Sequence, residues 1–224
     1  MINKVKAPQN IEELAERCHQ ISGLTLGELA HRMNILAPKD LKKSKGWVGQ
    51  LLELALGANA GTKAEPDFVQ LGIELKTLPI NHMLQPLETT YVTTVPMQKH
   101  TGLQFEQSNL FKKLNHILWV PIQADRNIDL ANRTIGRGFL WQPNSEQLRL
   151  IKQDFEDLME MISLGKINEV NAAFGEVLQI RPKAANNKAL TDVVGPDGTI
   201  IQALPRGFYL RTQFTADILK QSFG

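Results

Sequence analysis

One cysteine, Cys18, is all the chain has, so no disulfide can close within its 224 residues, and the composition fits a reducing, cytoplasmic setting. No stretch approaches the ~18 successive apolar residues of a membrane-spanning helix, and none is expected. The opening MINKVKAPQN has no apolar core, so no secretory signal is read there. Nucleotide-phosphate fingerprints are missing too: there is no GxxxxGK[ST] loop and no GxGxxG turn, so the chain itself is not expected to bind ATP. His19, His31, His82, His100 and His116 are scattered without HxH or HExxH spacing, and no zinc site is read from them. Internal repeats, low-complexity tracts and long linkers are absent. The formal charge is only +2, which by itself does not point to nucleic acid.

What charge there is, however, is clustered. Basic residues gather in KDLKKSK (39–45), FKK (111–113) and IRPK (180–183), and a cleft can be strongly positive in a nearly neutral protein. The length fits one large domain or two small lobes around a sizeable core. Helical patterns are read at 10–23, with Asn10 as cap and Glu13 closing a capping box, and at 25–33, with Thr25 and Glu28 in the same roles. A third is read at 44–57, capped by Ser44 and stopped by Gly57. Strands are expected at 68–79, 87–95, 116–123 and 134–141. Further on come a long helix at 145–165 capped by Ser145, a strand at 176–182, a polar helix near 185–194 and a GPDG turn at 195–198. A strand at 199–205 and a helix at 212–223 complete the chain. Helices and strands without strict alternation predict a mixed α/β (α+β) fold.

The segment PDFVQLGIELKT (66–77) threads two acids and a lysine through an apolar strand pattern. Residues two apart share a strand face, so Glu74 and Lys76 project together. Asp67 can converge with Glu74 if the strand begins with a bend. Two carboxylates at one point repel unless a cation lies between them, and hard oxygen donors with room for water suit Mg²⁺. A neighbouring lysine can hold and polarise a water. Together these make a recipe for attack on a phosphodiester. The pattern is PD…(D/E)xK, the short signature of a large nuclease superfamily. Its plain alternative is a solvent-facing Glu74–Lys76 salt bridge. Glu53 lies upstream on a largely apolar helical stretch, where a carboxylate is costly without a partner; its plain alternative is a surface glutamate.

Longer blocks carry a more specific resemblance. KGWVGQLLELALGA (45–58), DFVQLGIELKTLPI (67–80), PLETTYVT (86–93), LNHILWVPI (114–122), LQIRPKAAN (178–186) and LPRGFYLRTQFT (204–215) run in order through essentially the whole chain. They resemble the MutH family of DNA mismatch-repair endonucleases. The resemblance implies a restriction-endonuclease-like fold, with a central mixed sheet flanked by helices in a single two-lobed domain that clamps DNA in a cleft. Catalytic residues would lie mainly in 45–115 and reading elements mainly in 178–215. It implies Asp67 and Glu74 as Mg²⁺ ligands, Glu53 as a further acidic member, Lys76 as the active-site lysine and Lys113 as a second lysine reaching the cleaved DNA. Lys112 beside it leaves the local alignment slightly ambiguous. The implied activity is nicking of the unmethylated strand 5′ to the G of hemimethylated GATC, by a monomer that MutL activates after MutS has found the mismatch.

Reading GATC calls for base-edge contacts in the major groove. Arg181 suits bidentate guanine recognition, and Pro182 fixes the backbone beside it. Lys183 and Lys188 suit phosphates, which set register rather than sequence. The alternative for this stretch is a solvated basic loop. Lys45 and Arg206, inside the matching blocks, join the DNA-contacting set. The resemblance assigns methyl sensing to Tyr209, whose alternative is packing under the last helix; Phe208 is the better core candidate. Two rivals stand beside the nicking enzyme: a GATC-specific restriction endonuclease of the same superfamily, and a DNA-binding repair effector without catalysis.

Overall fold

The computed structural model describes residues 5–39, 46–61, 63–98, 102–183 and 189–223. In chain order the elements are α1 (Ile11–Ile21), α2 (Leu26–Arg32), α3 (Trp47–Leu56), β1 (Glu74–Ile80), β2 (Thr90–Thr94), α4 (Asn109–Leu114), β3 (Ile117–Gln123) and β4 (Phe139–Trp141). They continue with α5 (Ser145–Ser163), β5 (Leu178–Pro182), β6 (Thr191–Val194), β7 (Ile200–Ala203), β8 (Arg206–Leu210) and α6 (Thr212–Phe223). The chain divides into two compact units: Met1–Glu88 with Asn115–Gln142 and Ile218–Gly224, and Thr89–Leu114 with Pro143–Asp217.

The first unit is built on a mixed sheet ordered β1-β3-β4, with β1 parallel and β4 antiparallel to β3. The register runs from Glu74 opposite Ile117 to Ile80 opposite Gln123. Leu75, Leu118, Val120 and Ile122 turn one face of this sheet into a core shared with Leu14, Leu26, Leu29, Leu52 and Leu56 of the three N-terminal helices. Removing each such side chain from water contributes roughly 1.5–3 kcal/mol. Gly57 ends α3 at φ +86°, and a Cβ there would lie 2.3 Å from the Lys6 carbonyl oxygen, so both conformation and space demand glycine.

The second unit carries the antiparallel sheet β2-β8-β5 and the two-stranded sheet β6-β7. Leu178, Ile180, Phe208 and Leu210 are fully buried on one face of the larger sheet. The Phe208 ring lies 5.7 Å from that of Phe155 on α5. Among the described residues the strands form three small sheets, the mixed one lying in the first unit.

Several boundaries differ from expectation for local reasons. Helix α1 has its Asn10 cap, but the Glu13 carboxylate accepts the Gln9 amide, one residue outside the expected box. Helix α2 has the full Thr25–Glu28 capping box. Helix α3 begins at Gly46, in left-handed backbone without a side-chain cap; Ser44 lies outside the described residues. Asn144, not Ser145, caps α5, because Gln147 sits three residues on and returns a bond to the Asn144 amide. The strand expected from 68 begins only at Glu74, since 69–72 turn through Gly72 at φ +64°. The strand expected at 134–141 shortens to Phe139–Trp141, with Ile135 making only an isolated bridge to Ile122. The polar helix expected near 185–194 is not formed where described: Thr191–Val194 is strand, its β-branched residues pairing with β7 across the GPDG turn. Helix α4 was not anticipated. Its start is marked by Ser108, whose hydroxyl accepts the Phe111 amide at 3.1 Å.

Cys18 is 2 % exposed, and burial pushes its thiol up to about 11 despite a bond from the Gly138 amide. The folded pKa lies above the ordinary 9.0, so the thiol's contribution to stability is whole below about pH 9 and is lost as pH rises towards 11. A thiol reagent at pH 8 is expected to label the folded chain slowly and the urea-unfolded chain at once. Equal rates in the two states would contradict the burial.

Candidate functional site

Among the described residues strand β1 is an edge strand, paired within its sheet with β3 alone. The chain before it turns back on itself. Phe68 and Ile73 exchange amide bonds at 2.9 and 3.4 Å around the turn, and Phe68 is buried as its anchor. This fold-back brings Asp67 alongside the strand, where its Oδ2 accepts the Leu75 amide at 2.8 Å. The Asp67 carbonyl in turn accepts the Asn59 and Ala60 amides at 2.9 and 3.2 Å. Asp67 is therefore held through backbone and side chain together.

Glu74, next to that closed amide, is only 2 % exposed. Its Oε1 lies 2.6 Å from Lys76 Nζ, and the Lys76 side chain is itself 15 % exposed. The pair is thus not the solvent-facing salt bridge of the plain alternative. A buried carboxylate is tolerable only with a cation at hand, and here the lysine supplies it. Across the pair of strands the Glu74 amide donates to the His116 carbonyl at 3.0 Å. Partial burial lowers the His116 pKa, so that imidazole is neutral at pH 7 and adds no second cation.

Glu53 is half-buried on α3, a helix that packs against β1. Among the described residues no group of three or more His, Cys, Asp or Glu is arranged to hold a metal ion. Lys113 is half-buried in the last turn of α4, in the second unit, while Lys112 is exposed.

In the second unit the outward face of sheet β2-β8-β5 gathers the expected reading residues. Tyr209 stands opposite Tyr91 on β2 and Gln179 on β5. The two tyrosine rings meet edge to face, 5.4 Å apart at 62°. Arg181, opposite Gly207, donates to the Thr89 hydroxyl at 2.9 Å, and its guanidinium carbon lies 5.8 Å from the Tyr209 ring centre. Lys183 Nζ sits 4.0 Å from the Tyr91 ring centre. Gly207 makes room for both rings, since a Cβ there would come within 2.8 Å of Tyr91 and 3.1 Å of Tyr209. Pro182 is exposed at the end of β5. Arg206 is half-buried, and loss of water around its guanidinium lowers its pKa. Its Nε has no hydrogen-bond partner among the described residues. Phe208, as expected, is fully buried on the opposite face. Lys45 and Lys188 lie outside the described residues.

Tyr91 was missed as a candidate. Its signal was modest: alternation in TTYVT puts it on one strand face, but only the register with β8 shows that the face is shared with Tyr209.

A mixed sheet flanked by helices, carrying an acid-x-lysine strand closed by an upstream aspartate, is consistent with the restriction-endonuclease-like class of folds. Residues 56–154 match the family described as DNA mismatch repair enzyme MutH. A DNA mismatch repair protein MutH of Shewanella baltica (strain OS185) is 49 % identical over 223 residues, covering all of both chains. Its counterpart in Actinobacillus pleuropneumoniae serotype 5b (strain L20) is 52 % identical over 209 residues, covering 93 % of this chain and 92 % of its own. The chain belongs to the MutH family of DNA mismatch repair enzymes.

The Glu74–Lys76 geometry predicts a stability effect separate from any activity. Lys76→Met should cost on the order of 3–5 kcal/mol in urea unfolding, because it takes the lysine away from a buried carboxylate. The double change Glu74→Leu with Lys76→Met should recover most of that loss. A single variant as stable as the double would contradict a buried, mutually dependent pair.

Proposed function

We propose that the chain is a Mg²⁺-dependent endonuclease that nicks the unmethylated strand 5′ to the G of hemimethylated GATC in duplex DNA. The observation that carries this reading is an Asp67 carboxylate bonded to the Leu75 amide, one residue along β1 from the buried Glu74–Lys76 pair, in a chain belonging to a mismatch-repair family. Asp67 and Glu74 fit Mg²⁺ by donor chemistry: both offer hard carboxylate oxygens, and Mg²⁺ is commonly held by one or two carboxylates plus waters and substrate phosphates. Mg²⁺ held there would supply Lewis-acid activation for hydrolysis of the phosphodiester. Glu53 would steady the surrounding water, and Lys113 would meet the cleaved strand. Lys76, already beside Glu74, orients the attacking water and offsets charge building on the phosphate.

Recognition is assigned to the second unit. Arg181 reads guanine, with Pro182 fixing the backbone beside it. Lys183 and Lys188 engage phosphates, Arg206 adds a further DNA contact, and Lys45 contributes one from the first unit. Tyr209 senses methylation. An N6-methyl group leaves the charge and one donor hydrogen of adenine unchanged, so it can be told from hydrogen only by shape, and a rigid ring supplies the wall. Activation by MutL downstream of MutS, monomeric action and a cytoplasmic location complete the reading.

The test is nicking of a hemimethylated GATC plasmid with each strand labelled. The wild-type chain should give Mg²⁺-dependent nicks in the unmethylated strand alone. Double-strand cleavage would favour a restriction enzyme, and binding without cleavage a repair effector. Tyr209→Ser should still nick unmethylated GATC but should cut methylated strands as well. An unchanged strand ratio would clear Tyr209 of the methyl-sensing role.

A further inference from the structure

The proposed reading face depends on a buried acid that the catalytic chemistry does not use. Asp154 lies on α5 and is 5 % exposed. Its carboxylate accepts the amides of three consecutive residues: Glu176 at 2.8 and 2.9 Å, Val177 at 2.7 Å and Leu178 at 2.7 Å. Leu178 is the first residue of β5, the strand that ends in Arg181 and Pro182. Gly175, at φ +83°, makes the approach possible, since a Cβ there would lie 3.3 Å from the Asp154 Cγ and 1.9 Å from the Leu178 carbonyl oxygen.

The carbonyls of the same segment are held from the other side. Arg211, the residue after β8, donates from Nε to the Gly175 carbonyl at 3.1 Å. Its terminal NH2 group donates to the carbonyls of Ala172 at 2.7 Å and Phe174 at 2.9 Å. The Arg211 amide donates to Val177 at 2.9 Å. One acid takes amides and one guanidinium gives to carbonyls, so residues 172–178 are gripped through both kinds of backbone group.

This grip sits where the pairing of β5 with β8 begins, at Leu178 opposite Leu210. From that start the register brings Gln179 opposite Tyr209 and Arg181 opposite Gly207. A slip of one residue would turn Arg181 from the tyrosine face to the Phe155 face. We infer that Asp154 and Arg211 are positioning residues for sequence discrimination: they fix the register of β5 and so the place of Arg181 beside Tyr209. The inference rests on the GATC reading above and deepens it. Asp154 touches no DNA in this account; it acts through the strand.

The test uses the full chain, a duplex with one GATC and a matched duplex with one base pair of that site altered, in Ca²⁺ so that binding is read without cleavage. Asp154→Asn keeps the shape but turns one acceptor into a donor facing an amide. Arg211→Ala removes the grip on the carbonyls from the partly exposed side and leaves the apolar core intact. Each variant should lower the cognate-to-altered affinity ratio about tenfold while affinity for the altered duplex stays within twofold. A purely structural loss would shrink the folded fraction and weaken both duplexes alike, leaving the ratio unchanged. If Asp154→Asn does not fold, Arg211→Ala decides. An unchanged ratio in the folded variants, with wild-type discrimination intact, overturns the positioning role alone. A wild-type chain that binds both duplexes equally overturns the GATC reading and this inference with it.

Discussion

Asp67 closes the open edge of β1, and the candidate chemistry is arranged around that contact. An edge strand presents unpaired amides, which must find acceptors or water. Here the Leu75 amide finds a carboxylate 2.8 Å away. The same bond holds a second acid beside Glu74, which lies buried with Lys76 at 2.6 Å. Two acids and a lysine are costly to gather in an apolar setting. That cost is met by the turn at 69–72, by the two amides that fix the Asp67 carbonyl and by the core behind Leu75. The core thus positions the chemistry rather than merely surrounding it.

The second unit solves a different problem, that of holding the residues proposed for recognition on one face of a sheet. Its sheet buries Phe208, Ile180 and Leu178 on one side and presents Tyr91, Tyr209 and Arg181 on the other. The alternation of a strand makes the two roles inseparable: anything that keeps Phe208 in the core keeps Tyr209 out of it. Gly207 leaves room for the Tyr209 ring, and edge-to-face contact with Tyr91 restrains it there. The methyl-sensing role proposed for Tyr209 needs that restraint.

Much of this was legible in the sequence because it is local. The caps at Asn10 and Thr25, the stop at Gly57 and the side-by-side projection of Glu74 and Lys76 follow from spacing alone. The family resemblance supplied the rest of the candidate set, and membership of that family is now established. What the sequence hid depends on distant partners. Tyr91 joins Tyr209 only through strand register. Asp154 meets the segment before β5 across more than twenty residues. The strand at Thr191–Val194 was misread as helix because its polar neighbours masked a β-branched pattern that only pairing with β7 makes decisive. Turns, too, were underweighted: Gly72 shortens β1 and by doing so delivers Asp67 to its edge.

The central claim is that Asp67 serves two ends, closing the strand with one oxygen and contributing its charge to the site. Asp67→Asn separates them, because an amide oxygen can still accept the Leu75 N–H while the negative charge is gone. The decisive measurement is Mg²⁺-dependent nicking of a hemimethylated GATC duplex by this variant, alongside its thermal unfolding and its DNA affinity. The account predicts folding and binding close to wild type, with nicking reduced at least a hundredfold. Nicking at the wild-type rate by a folded Asp67→Asn chain would contradict it.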